Sequence, residues 1–194
     1  MVLHIKHMVS NRCINTVRIE MEKIGLSYKK IQLGEVEMFK NPTPRQCDQL
    51  RLGLLASGLE LIEDKTSILI ERIKNIITDM VHYTSEIPRI KTSNYICERI
   101  NYDYTYLANI FSKGTGMTIE HFIISHKIER AKELIVDNDL TLTEISFLLN
   151  YSSVAHLSRQ FKQVTGLTVS CFKKAPTKHR IPLENINDWN TKIN

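Results

Sequence analysis

The chain has 194 residues, a hydrophobic fraction of 42%, a charged fraction of 24%, a formal net charge of +5 and a sequence pI near 9.0. These are the proportions of a soluble globular protein with room for one larger or two small domains, and the mild basicity is compatible with a polyanionic partner without requiring one. No apolar run approaches the ~20 residues of a membrane span. Cys13, Cys47, Cys97 and Cys171 lie too far apart for a disulfide framework or a zinc finger. The N-terminus lacks the apolar core of a secretory signal, so a cytoplasmic location is expected.

Residues 1–64 alternate strand-like and helix-like patterns. Val2 to His7 is a short strand. Cys13, Val17, Met21 and Ile24 recur at helical spacing, and Gly25 stops that helix. Tyr28 to Leu33 and Glu35 to Phe39 read as two strands around Gly34. Thr43 caps a helix with Pro44 at its first position; Leu50, Leu54 and Leu55 follow on one face, and Leu59 to Ile62 is the last strand. The order βαββαβ predicts a small ferredoxin-like sandwich, too small to cover both its faces alone. His4 and His7 are expected at the surface.

The run Met8-Val9-Ser10-Asn11-Arg12-Cys13 resembles the M-x-C-x-x-C metal-binding loop of heavy-metal-associated domains, with Ser10 where the first cysteine would stand. Soft metals favour two thiolates, so Cys13 alone leaves that site incomplete. Cys13 is the one candidate for a metal ligand, and its simpler reading is a half-buried structural residue. No cofactor is expected.

Thr66 to Tyr83 predicts a helix with a wide apolar face formed by Leu69, Ile70, Ile73, Ile76, Ile77, Met80 and Val81. Such a face must be buried within the chain or against a second copy, which makes a homodimer through residues 66–83 one expectation. Ser85 to Lys91, containing Pro88, reads as a boundary.

Beyond it one pattern occurs twice. Shifted by 50 residues, Leu107, Phe111, Thr115, Gly116, Thr118 and Phe122 fall on Leu157, Phe161, Thr165, Gly166, Thr168 and Phe172. Just upstream, Ile96, Asn101 and Tyr102 fall on Ile145, Asn150 and Tyr151 at an offset of 49, which one inserted residue near Ser152 explains. A two-copy repeat of this length is a duplicated supersecondary unit rather than a solenoid. In the second copy Thr141-Leu142-Thr143-Glu144 is a capping box, Asn150 to Ser153 supplies a turn and a serine cap, and Leu157, Phe161 and Val164 point inward. The first copy has Asp103 as its cap, Leu107, Ile110 and Phe111 inward, and Gly116 at its end. Small residues, Cys97 and Ser146, sit where the second helix crosses. This is the layout of a helix-turn-helix. Ile119 to Asn138 predicts one helix between the copies, with Ile124, Ile128, Ala131 and Ile135 as its core stripe.

At Tyr151-Ser152-Ser153, His156-Leu157-Ser158-Arg159-Gln160-Phe161-Lys162 and Thr165-Gly166-Leu167-Thr168 the sequence resembles the signature of AraC/XylS-type transcriptional regulators. Ile128 to Leu134 is similar to that family's linker helix, and the resemblance covers about residues 84–178. It implies a regulator that binds double-stranded DNA, with RNA polymerase as a further partner. The resulting fold class is α+β: a ferredoxin-like domain at 1–64, a connecting helix at 65–84, an all-α double helix-turn-helix domain at 85–178 and a polar tail at 179–194.

The expected base-reading residues are Tyr104, Thr105, Tyr106 and Asn109 in the first recognition helix and Ala155, His156 and Arg159 in the second. Arginine matches guanine in the major groove, asparagine matches adenine, and alanine or threonine methyls meet thymine. Ser112, Lys113, Ser153, Lys162 and Lys173 are placed for phosphates. Residues 84–180 carry 13 Lys+Arg against 9 Asp+Glu, a net of +4, whereas residues 1–83 carry 12 against 10, a net of +2. The alternative is a metal-binding or thiol-sensing module acting through residues 1–64. No phosphate loop, HExxH or nucleophile-base spacing is present, so an enzyme is not expected.

Overall fold

The computed structural model describes residues 1–84, 90–137, 139–174 and 183. Pro88 of the expected boundary, Asn138 at the expected end of the linker helix, and the expected tail apart from Leu183 lie outside the described residues. The chain is mixed α and β and divides into two compact units, Met1–Asn75 and Ile76–Asn194.

The first unit runs β1 (Val2–Lys6), α1 (Asn11–Lys23), β2 (Tyr28–Gln32), β3 (Glu35–Met38), α2 (Pro44–Ala56), β4 (Glu60–Ile62) and the start of α3 (Lys65–Thr78). The four strands form one antiparallel sheet in the order β2-β3-β1-β4. Alternation along β1 turns Leu3 and Ile5 onto the face where α1 contributes Val17 and Met21 and α2 contributes Leu50 and Leu54. Thr43 closes a full capping box with Gln46, and Pro44 occupies the first turn of α2, where no intrahelical N–H is lost.

A polar layer lies between the sheet and the first part of α3. Arg72 meets Glu35 at 3.2 Å, Glu35 faces His4 at 3.7 Å, and the His7 N–H donates to Glu71 at 3.3 Å. His4 and His7 are therefore half-buried rather than surface residues, and burial is the main cause holding both below the ordinary histidine value. Gly34, at φ +80°, turns between β2 and β3 where a Cβ would collide with the Asn75 amide.

The helix expected over Thr66–Tyr83 changes character near its end. α3 is followed by a π-helical turn, Asp79–Tyr83, closed by the Thr84 N–H on the Asp79 carbonyl at 3.0 Å. The wider turn keeps Met80 and Val81 buried while His82 reaches His126 with a nitrogen–nitrogen distance of 3.2 Å. Local periodicity cannot forecast a winding that a distant partner stabilises. Leu69, Ile70, Ile73, Ile77, Met80 and Val81 are all buried within the single chain.

The second unit continues with α4 (Thr92–Ile100), α5 (Tyr104–Thr115), α6 (Ile119–Asp137), α7 (Leu142–Leu148), α8 (Val154–Thr165) and α9 (Val169–Lys174). α4 with α5, and α7 with α8, form the two helix pairs, and α6 packs against the π-helical turn, α5, α7 and α8. Ile128, Ala131 and Ile135 of its stripe are buried and Ile124 is half-buried. Because α6 is covered on several sides, His126, Glu129 and Lys132 are buried as well, the last two as an ion pair at 2.5 Å. A buried pair of this kind costs desolvation and is weak evidence for stability, but removing one partner is costly.

Each helix pair completes its core with a ring from the helix that follows. Phe111 meets Phe122 at 5.4 Å between centroids and Phe161 meets Phe172 at 5.4 Å, both edge-on. Phe111 and Phe161 are fully buried. Phe111→Ala and Phe161→Ala should each destabilise the chain by about 3–5 kcal/mol, read as a lower urea midpoint at an unchanged slope. A loss below about 1 kcal/mol at either site would show that its ring does not carry the core.

Candidate nucleic-acid interface

The duplication extends to the caps of the helices. Asn101 and Asn150 both take left-handed backbone, at φ 61° and 54°, where asparagine is among the few tolerated side chains. The next helices then start on side-chain caps. Asp103 accepts from the N–H groups of Thr105 and Tyr106 at 2.8 and 3.2 Å, and Ser153 accepts from His156 N–H at 3.1 Å. Gly116 and Gly166 end α5 and α8 at φ 74° and 75°. Thr115 and Thr165 bridge the carbonyl four residues back, each at 2.7 Å, to the N–H two residues on.

These supports leave an outer face on α5 and on α8. On α5, Thr105, Tyr106, Asn109 and Lys113 are exposed, while Tyr104 and Ser112 are half-buried. On α8, Ala155, Arg159 and Lys162 are exposed and His156 is half-buried; Ser153 at its cap and Lys173 on α9 are exposed.

The two faces differ in chemistry. The Tyr104 hydroxyl donates to Glu120 at the start of α6. Burial, followed by that bond, pushes the Tyr104 phenol well above its ordinary value, and the same bond is the main cause holding Glu120 low. The tyrosine is thus tied to the linker helix and the glutamate stays charged. Tyr102 stacks on Tyr106 at 5.6 Å, so the first face presents aromatic surface beside two carboxylates, Asp103 and Glu120. The second face presents His156, Arg159 and Lys162.

Behind the second face lies a cluster that spacing alone did not single out. Lys127 of α6 places its ammonium 5.2 Å from the centroid of the Tyr151 ring. Burial pushes Lys127 down to about 8 and pushes the Tyr151 phenol up. The Tyr151 hydroxyl is buried and has no hydrogen-bond partner among the described residues. His156 sets its ring edge-on to Tyr151 at 5.2 Å, with Nδ1 3.0 Å from Ser152 Oγ. Among the described residues no group of three or more His, Cys, Asp or Glu is placed to hold a metal ion, and no helix is long and apolar enough to cross a membrane.

Residues 96–175 match a family model described as a helix-turn-helix domain. The chain is 26% identical over 102 residues to an uncharacterised HTH-type transcriptional regulator, YtdP, of Bacillus subtilis, covering 52% of this chain and 13% of that protein. It is 30% identical over 118 residues to the Msm operon regulatory protein of Streptococcus mutans, covering 61% of this chain and 40% of that protein. The chain thus spans less than half the length of either relative. Among solved structures, the C-terminal domain of AraT, a response regulator from Geobacillus stearothermophilus, aligns over 61% of this chain and 92% of that one, with 19% identity and a TM-score of 0.49.

The depressed Lys127 gives a pH signature. Between about 8 and the ordinary lysine value of 10.5 the folded chain binds fewer protons than the unfolded one, so this group makes stability rise with pH across that window. Urea unfolding from pH 8 to 10 should show a smaller rise for Lys127→Met than for the unmodified chain; equal slopes would place Lys127 in water.

Proposed function

We propose that residues 96–175, which match a helix-turn-helix family model, form an AraC-type double helix-turn-helix domain and that the chain is a transcriptional regulator reading double-stranded DNA in a sequence-specific way. α5 and α8 enter successive major grooves. The observation that carries this reading is the geometry repeated in both helix pairs, from the left-handed asparagine to the closing phenylalanine, on the single helix α6. The 19 residues of α6 span about 28 Å at ~1.5 Å each, close to the ~34 Å between neighbouring major grooves on one face of DNA.

Base reading falls to Thr105, Tyr106 and Asn109 with Tyr104 at the edge of that face, and to Ala155, His156 and Arg159. Phosphate contacts fall to Ser112, Lys113, Ser153, Lys162 and Lys173. The first helix acts mainly through shape and aromatic surface, because Asp103 and Glu120 flank it; the second supplies charge. Residues 85–178 are assigned to DNA and 1–64 to a ferredoxin-like domain, a reading supported by the strand order β2-β3-β1-β4. The metal-binding alternative has little support: the Cys13 thiol has Ser10 Oγ at 3.5 Å and the His7 carbonyl at 3.9 Å as its polar neighbours. A homodimer through residues 66–83 has less to bury, since Leu69, Ile70, Ile73, Ile77, Met80 and Val81 of that face are buried in one chain and Ile76 is half-buried. RNA polymerase remains the protein partner that a regulator of this kind implies.

Arg159 and Lys162 separate reading from positioning. Both are exposed on α8, and Arg159 lies nearer the helix start, where base edges are met. Arg159→Ala should cost about 1–3 kcal/mol on a duplex selected from random DNA and relax preference at one or two positions. Lys162→Ala should weaken selected and scrambled duplexes alike and reduce the salt slope by about one. Equal weakening of both duplexes by Arg159→Ala would make Arg159 a phosphate contact, and no effect of either change would mean that α8 does not dock.

A further inference from the structure

We propose that Lys127, on the linker helix, is a positioning residue for base reading by the second recognition helix, acting through Tyr151 on the His156 ring. The inference rests on the DNA-reading role proposed above and names a group outside the expected contact surface.

Lys127 is half-buried, and an ammonium that gives up part of its hydration is costly unless something compensates it. Lys127 lies on a helix packed against α7 and α8, and among the described residues it makes no ion pair. What it meets is the face of Tyr151, at a distance where a cation is attracted by the ring quadrupole. With burial pushing Lys127 down to about 8, it is still charged near neutral pH. The ring is therefore its compensation, and the ammonium in turn fixes the ring.

Tyr151 has no other polar task that the structure shows, since its hydroxyl is buried without a hydrogen-bond partner among the described residues. Its ring, by contrast, is used on two sides: Lys127 lies over it, and the His156 imidazole stands against it at an interplanar angle of 89°. Ser152 engages His156 Nδ1 at 3.0 Å, which leaves Nε2 as the nitrogen that can reach a base edge. His156 lies in the first turn of α8, capped by Ser153, where recognition helices meet bases. The imidazole is thus held by a hydroxyl at one nitrogen and by an aromatic ring whose own position depends on the linker helix. Loss of the ammonium frees the ring, and the imidazole loses its fixed orientation without losing any DNA contact of Lys127 itself.

The test uses the full chain, a duplex that the unmodified chain selects from random DNA, and a scrambled duplex of the same composition. Lys127→Met should lower the ratio of selected to scrambled affinity by about three- to tenfold, the scale of one cation–ring contact. Lys127→Arg keeps the cation and should restore the ratio. Tyr151→Phe keeps the ring and should preserve it; Tyr151→Leu should reproduce the loss. In long-range proton–nitrogen spectra of the free protein, the His156 imidazole signals should move in Lys127→Met and return in Lys127→Arg. Lys127→Gln serves if Lys127→Met does not fold. Equal weakening of both duplexes, a preserved ratio in Tyr151→Leu, or unmoved His156 signals would each overturn the proposal. If the unmodified chain selects no duplex, the DNA-reading role itself fails and the proposal with it; selection followed by an indifferent Lys127→Met removes the proposal alone.

Discussion

Neither helix pair in the second unit can bury its own phenylalanine. Phe111 on α5 and Phe161 on α8 are fully enclosed only because Phe122 and Phe172 arrive from the next helix and meet them edge-on. A two-helix unit lacks the surface to enclose a ring of that size, so each must recruit a third element. In the first pair that element is the start of α6, and the same helix also packs on α7 and α8. The demand of one aromatic ring thereby makes α6 part of both cores and gives the unit a single backbone axis.

That shared helix explains the buried polar groups along it. His126, Glu129 and Lys132 lie on turns that no single amphipathic stripe would bury. They are covered because α6 has neighbours on several sides, including the π-helical turn that delivers His82. Charged groups in that position are paired, as Glu129 with Lys132 and Arg130 with Glu133 are, or leaned on an aromatic face, as Lys127 is. The two helix pairs therefore differ in the chemistry they inherit from α6. The first receives Glu120 and gives up a tyrosine hydroxyl to it, whereas the second receives a cation.

The features legible in the sequence are those set within one turn or one repeat. Asn101 and Asn150, Asp103 and Ser153, Gly116 and Gly166 each mark a local backbone need that only a few residue types meet. The strand alternation of Leu3 and Ile5 and the Thr43-Pro44 start of α2 belong to the same class. What the sequence hides are contacts between elements far apart in the chain. The bonds of Tyr104 to Glu120, Arg72 to Glu35 and His82 to His126 join residues 16, 37 and 44 positions apart. Among the expected base-reading residues Tyr104 and His156 are half-buried, Tyr104 through its bond to Glu120 and His156 beside the Tyr151 ring.

The proposed function requires α5 and α8 to engage one duplex at once, held at a groove-to-groove spacing by α6. Methylation interference at guanine N7 on a selected duplex reports major-groove contact directly. Two clusters of interference are expected on one face of the duplex, with centres about 10–10.5 base pairs apart. The cluster assigned to α8 should be the stronger. A single cluster, or two on opposite faces, would contradict it.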